Sequence, residues 1–375
     1  MEKLFPTTKR EINFELLRII AMLMIVSLHY WGKSGFTDSA EISTPGFFLA
    51  WIVRSCCYCA VNCYILLSGY FMSGGKFKMS KAIKIWLQVF EYSFLIYLFT
   101  CLAGINTFSV SSLIKCFLPI TMEEYWFVTK YLLLLFLSPF LNVYIERCDR
   151  RQLGLTCIVS LILFSVLPTV FCYNDYTNIV DGYSLLWFVT LYLVAAYVRI
   201  YGLEYIESKQ NCLIGYGVNA SILLLSKVVI YLLSSHFLGK AIYSNLLFRY
   251  NVFFVFMSSL FLFGFFRNIT IKSVVVGRVV AIFAPATFGV YLIHLAPSLK
   301  DWLWKEVINP VRFNNVLVLL VNYLVVVLCV FLICSFLEML RQRILEKSRI
   351  VQACFNIIDK KYNYLSEKLM EKLDS

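Results

Sequence analysis

The chain has 375 residues, 60% of them hydrophobic and 15% charged, with a mean hydropathy of +0.76 and a formal net charge of +12. A soluble globular protein would carry more charge, and apolar runs of about 20 residues recur along the chain, so the composition describes a polytopic helical membrane protein, all-α in class. The short alternating segments of a transmembrane barrel are missing, and the cations sit in short loops between spans, where the orientation signal of membrane insertion explains them better than nucleic-acid binding does.

Lys3, Lys9 and Arg10 precede the first apolar run, and no small-residue cleavage site follows, so that span reads as a retained anchor. It covers about residues 15–31 and is followed by the polar stretch GKSGFTDSAEISTPG. The second span covers about 47–72, and the loop after it, SGGKFKMSKAIK, holds Lys76, Lys78, Lys81 and Lys84. The third runs over about 83–103, and in 104–125 a short external helix is easily mistaken for part of a span. The fourth (126–145) ends in ERCDRRQ; the fifth (153–171) exits through CYNDYTNIVDGYS, which has acids and no Lys or Arg. Spans over 185–201, 213–233, 246–266, 279–295 and 316–337 complete the set, giving a transmembrane domain over 1–337 and a polar tail over 338–375.

Alternating these spans from a cytoplasmic N-terminus puts fifteen cations in the inner segments before the tail: Lys3, Lys9 and Arg10; Lys76, Lys78, Lys81 and Lys84; Arg147, Arg150 and Arg151; Arg199 and Lys209; Arg267, Lys272 and Arg278. The outer segments hold six, namely Lys33, Lys115, Lys240, Lys300, Lys305 and Arg312. The bias predicts ten spans with both termini cytoplasmic. The tail combines apolar residues at helical spacing with Lys and Arg, which predicts an amphipathic helix on the inner leaflet, each basic residue adding about 1 kcal/mol of attraction.

Thirteen Cys are present, most of them inside apolar runs such as CCYCAVNC (Cys56, Cys57, Cys59 and Cys63). No His or acidic residue interleaves them, so they read as small buried hydrophobes rather than a metal site, and the external segments hold too few for a disulfide framework. Charge inside a membrane points to function by default. The residues concerned are Arg18, Arg54, Glu91, Lys130, Lys227 and Arg249, with His29 and His294. For Arg54, Lys130, Lys227 and Arg249, snorkelling to the interface or simple pairing is the plainer reading. Arg18 and His29 differ, because they share a helix and a face: eleven residues make close to three turns, with a rise of roughly 16 Å between them. Arg suits a forked grip on phosphate or carboxylate, and His can take and return a proton near neutral pH. On spacing alone, a satisfied core His and an Arg at the membrane edge fit equally well.

The string REINFELLRIIAMLMIVSLHYW resembles the opening of the membrane acyltransferase-3 family, marked by an Arg, ten residues and a His in the first span, the spacing of Arg18 and His29. Other pieces resemble the family in the same order: VNCYILLSGYFMS with its Ser68-Gly69-Tyr70 turn, YWFVTKYLLLLFLSPFLN with Trp126 and Phe127, LWFVTLYLVAAYVRI, and FGVYLIH ending at His294. The likeness covers about residues 10–337. Where members carry Arg-x-x-Arg after the second span, this chain has Lys81-Ala-Ile-Lys84, cationic but without the fork.

The resemblance implies an integral-membrane O-acyltransferase, most often an O-acetyltransferase, in a bacterial cytoplasmic membrane. Its donor would be a cytoplasmic acyl-CoA such as acetyl-CoA, used as substrate with no tightly bound cofactor, and its acceptor a hydroxyl of a cell-surface or lipid-linked glycan. Arg18 and the Lys76–Lys84 patch would hold the donor phosphates, while plain positive-inside charge explains the patch equally well. His29 would be general base on the acceptor hydroxyl, with a covalent acyl-His intermediate open. Trp126, Tyr291 and His294 would be further substrate-binding residues of the site, Tyr291 and His294 reading equally well as interfacial; Glu91 would be another, or a partner of an intramembrane cation. Many members append an extracytoplasmic hydrolase-like domain; this chain is expected to act alone or with a partner, and it holds no G-x-S-x-G motif. The rival class is a transporter or flippase of a glycan or lipid-linked intermediate, for which paired discontinuous helices are missing. A sensor or scaffold leaves the buried Arg and His unexplained. Membrane lipids are expected partners and nucleic acid is not; the oligomeric state cannot be read from the sequence.

Overall fold

The computed structural model describes residues 11–171, 180–239, 244–346 and 349–374. Lys3, Lys9, Arg10, Lys240 and the loop residues 172–179 lie outside the described residues. Among the described residues the chain is helical, without a strand, and eight helices are long and apolar enough to cross a membrane. It is an all-α, polytopic membrane protein.

Helix α1 (Ile12–Lys33) leads into a single turn, α2 (Phe36–Ser39). The second span divides into α3 (Pro45–Cys57) and α4 (Ala60–Met72), interrupted at Tyr58–Cys59. Then come α5 (Met79–Leu102), the short α6 (Val110–Phe117) in the stretch where an external helix was expected, and α7 (Trp126–Arg147). The fifth span combines α8 (Arg150–Leu161) with a wider turn and α9 (Leu167–Val170). After α10 (Leu185–Tyr201) and α11 (Lys209–Leu238), α12 (Phe253–Asn268) begins seven residues later than the apolar run, because residues 246–252 form turns. α10 and α12 are apolar but short, roughly 25 Å each by the helical rise. Pro285 separates α13 (Val274–Phe283) from α14 (Thr287–His294). Last come α15 (Val316–Arg341) and α16 (Arg349–Asp374).

Several starts are set locally. The side chains of Thr44, Asp149, Ser184, Ser208, Ser273 and Asn315 accept hydrogen bonds from the first-turn N–H groups of α3, α8, α10, α11, α13 and α15. Asp149 and Gln152 form a reciprocal capping box.

The bundle is arranged around α1, which packs on α3, α4, α12, α13, α14 and α15. Of the α1 span 56% is buried, against 22% for α11 and α15, whose outer faces are left to lipid. A polar seam joins α1 to α15: Tyr30 donates to Asn322 Oδ1 at 2.7 Å, and the Ser27 and Tyr323 hydroxyls lie 2.9 Å apart. Gly69, in the Ser-Gly-Tyr segment expected as a turn but lying inside α4, is a close contact with α10: a Cβ there would stand 2.8 Å from the Tyr192 Cα.

Two features differ from the sequence expectation at the end that carries the lysine loop, called here the basic end. The tail boundary expected at residue 338 falls inside α15. Glu338 is fully buried and accepts from Arg341 Nε and Nη2 at 2.9 Å each, from the Tyr92 hydroxyl at 2.6 Å and from Gln342 at 2.7 Å. Arg341 also reaches Glu91 Oε2 at 2.9 Å, so the cluster ties α5 to α15. The tail helix α16, expected on the leaflet, rests its apolar side on α5. Asp359 accepts from the Ser80 N–H at 2.8 Å and the Ser80 hydroxyl at 2.7 Å, supplying from far along the chain the cap that Lys78 does not give. Phe355 packs under Lys84, and Tyr362 lies 5.3 Å from Phe77.

Candidate active site

Near the ends of α1 and α14 that lie away from the basic end, two imidazoles come together. His29 Nδ1 and His294 Nε2 are 2.9 Å apart, and the other nitrogen of His294, Nδ1, lies 2.5 Å from the Val290 carbonyl oxygen. A carbonyl only accepts, so His294 Nδ1 carries a proton; in a neutral ring Nε2 is then an acceptor. His29 must therefore donate through Nδ1, which leaves His29 Nε2 with a free lone pair. The hydrogen-bond pattern assigns these tautomers. The second imidazole thus orients the first and fixes which of its nitrogens is basic, as outer partners do for histidines in other sites. His294 is fully buried, and its own carbonyl accepts from Trp304 Nε1 at 3.1 Å, which ties the end of α14 down.

His29 lines a cavity of about 60 Å³, together with Tyr64, Trp126, Phe127, Tyr250 and Tyr291 and the aliphatic side chains around Met22 and Ile25. That is room for a few water molecules or a small acyl group, and far too little for a nucleotide. The wall is aromatic and apolar with few polar atoms, the usual make-up of a small-molecule site.

Toward the basic end, the Tyr64 hydroxyl donates to the Arg18 carbonyl at 2.7 Å, so one side chain touches both the cavity and the Arg18 turn. Arg18 pairs with Glu15 at 3.0 Å and remains one-third exposed, with its guanidinium 6.0 Å from the Phe71 ring. Lys81 comes within 6.0 Å of the Tyr131 ring. The sequence-derived residues therefore fall into three places. His29, Trp126 and Tyr291 line the cavity, and His294 stands behind His29 without lining it. Arg18 and Lys81 stand at its basic end. Lys84 lies under the tail, and Glu91 belongs to the Arg341 cluster, neither of them lining the cavity.

Sequence reasoning missed Tyr64 and Tyr250, because a Tyr in an apolar run looks like an interfacial belt residue. It also left the outer cations undivided. Lys130 pairs with Glu123 at 2.7 Å and Arg249 with Asp181 at 2.9 Å, as simple pairing requires. Arg54 and Lys227 instead share the Trp51 ring, 4.8 Å and 3.8 Å from its centroid.

A family model described as an acyltransferase domain, acyltransferase-3, matches residues 11–338. No curated protein and no solved structure matches the chain.

Proposed function

The chain belongs to the acyltransferase-3 family and is a membrane acyltransferase, and from that premise we propose that it moves an acyl group, acetyl above all, from cytoplasmic acyl-CoA to a hydroxyl of a cell-surface or lipid-linked glycan. The observation that carries the reading is the close pair His29 Nδ1–His294 Nε2 at a cavity of acyl-group size; with both rings neutral, His29 Nε2 is the basic nitrogen.

On the positive-inside rule the basic end is cytoplasmic. Acyl-CoA then docks from that side, its phosphates meeting Arg18 and Lys81 while the nucleotide stays outside the bundle. An extended pantetheine arm is long enough to cover the roughly 16 Å rise from Arg18 to His29 and to bring the thioester to the cavity. The acceptor hydroxyl arrives from the opposite end. His29 Nε2 takes its proton as the oxygen attacks the thioester carbonyl, and the His29 imidazolium keeps its Nδ1–H on His294. The carbon–sulfur bond then breaks and the proton passes to the departing thiolate, giving the ester and free CoA. Holding acceptor oxygen, carbonyl and base in one small chamber supplies the orientation that a bimolecular encounter lacks.

The test is acyl-CoA consumption and ester formation by the purified chain in proteoliposomes, with a surface-glycan oligosaccharide as acceptor. His29→Ala is expected to lower turnover by about 10²–10⁴-fold, the usual contribution of a positioned base, with insertion and thermal stability retained. A His29→Ala protein that turns over like wild type removes the site. A cavity of this size offers no passage to a sugar, so transport gains no support from it.

A further inference from the structure

On the side of His29 away from the basic end, two cations are held without a close ion-pair partner among the described residues. Arg54 lies on α3 and Lys227 on α11, both beside Trp51. Among the described residues neither forms an ion pair with a carboxylate within 4.0 Å. Asp38, on α2, acts on both from beyond that distance. Lys227 is 4% exposed and is held by neutral oxygens, the Ser244 hydroxyl and Asn245 Oδ1, at 2.8 Å each. Arg54 Nε is buried and has no hydrogen-bond partner. Charged groups within a membrane protein usually find opposite charges or carbonyls, and an unpaired buried cation is unfavourable. Two of them side by side, repelling one another, make a site suited to an anion.

The position of the pair says which anion. Gly32 stands one turn beyond His29 on α1, and a Cβ there would lie 2.8 Å from Arg54 Nη1, so the guanidinium occupies the space that this glycine leaves open. From Arg54 an aromatic wall leads back to the cavity. Tyr58 and Tyr250 lie 5.3 Å apart, Tyr250 and Tyr183 5.3 Å, and Tyr183 and Trp126 4.3 Å; Tyr250 and Trp126 line the chamber of His29. Flat aromatic faces suit the apolar faces of sugar rings, and a buried guanidinium suits an oxyanion. The donor's phosphates enter at the other end beside Arg18, a rise of roughly 21 Å along α1 from Gly32.

We propose that Arg54 and Lys227 form the acceptor's anion subsite, holding a phosphate or carboxylate carried by the glycan acceptor one helical turn beyond His29 and thereby presenting a sugar hydroxyl to it. The inference rests on the acyltransferase reading of His29 for the identity of the ligand, but binding tests it independently of turnover. The experiment is titration calorimetry on the detergent-solubilised full chain with four probes: farnesyl diphosphate, glucuronic acid, and their neutral counterparts farnesol and glucose. At least one anion is expected to bind ten or more times more tightly than its neutral counterpart. A preference for the diphosphate assigns a lipid-linked phosphate, and a preference for glucuronate assigns an acidic sugar.

Arg54→Gln and Lys227→Met are each expected to lower that affinity at least tenfold without changing the affinity for CoA, and Arg54→Lys is expected to retain part of it. Arg18→Gln is expected to leave it intact. The proposal is overturned if neither anion is preferred, if both neutralised variants bind as wild type does, or if Arg18→Gln abolishes the preference instead. The two variants lie on different helices, so a folding defect in one leaves the other as the test. Anion binding that persists in a preparation without acyl transfer would count against the role of His29 and leave the subsite standing.

Discussion

Replacing His294 by Ala removes the acceptor of the His29 Nδ1–H while touching no substrate directly. The resting pair is 2.9 Å apart; a bond between two neutral rings is worth about 0.5–1.5 kcal/mol net. Once His29 has taken the hydroxyl proton, the donor is charged and the same bond is worth about 1.5–3 kcal/mol. The difference, about 1–2 kcal/mol, is felt only as the transition state forms, so it falls on kcat and leaves the KM for acyl-CoA unchanged. At 1.36 kcal/mol per decade the expected loss is about 5–30-fold. His294→Gln, which offers an oxygen acceptor, should recover part of it. Because both imidazoles act as one unit, His29→Ala/His294→Ala should be no slower than His29→Ala alone. The assay is CoA release, followed with a thiol reagent, together with ester formation in proteoliposomes. Wild-type kcat in His294→Ala, or a double variant slowed by the product of the two single losses, would refute the pairing argument.

Three further outcomes follow from the packing. Glu338→Ala leaves Arg341 and the Tyr92 hydroxyl without their buried partner and should destabilise by about 3–5 kcal/mol, whereas Glu91→Ala, in which Arg341 keeps Glu338, should cost about 1 kcal/mol; thermal unfolding in detergent ranks the two, and equal losses contradict the cluster. Gly69→Ala places a methyl 2.8 Å from the Tyr192 backbone and should destabilise by about 1–3 kcal/mol through overpacking, with no loss if α4 and α10 are farther apart. Asp359→Ala removes the cap on α5, worth about 1 kcal/mol, and should speed tryptic cleavage at Lys360 and Lys361; an unchanged cleavage rate would mean that the tail is held by other contacts.

Apolar spans were legible because hydropathy is a local property. The start of α15 at Val316 and both ends of α10 coincide with the expected residues, since Asn315 and Ser184 announce those helices in the sequence itself. Ends that depend on distant groups were not legible. α15 outlasts its apolar run because Glu338 and Arg341 neutralise one another inside the bundle, and α12 starts late because turns occupy residues 246–252. The placement of Arg18 and His29 on one helix could be derived from spacing, but the partner of His29 lies 265 residues away and no periodicity connects the two. Lys81 and Lys84 look alike in the sequence; only the fold separates one beside Tyr131 from one covered by Phe355.

The dimensions of the His29 chamber bear on the energetics of the whole membrane. Bounded by aromatic rings and aliphatic side chains, a compartment of about 60 Å³ holds no unbroken column of water from one face to the other. On the proposed reading only the reacting ends of two substrates meet there, each backed by its own bulk as a stopper. Chemistry could then pass between compartments while the electrical insulation of the bilayer stays intact, with no need for the alternating gates that a carrier must open and shut.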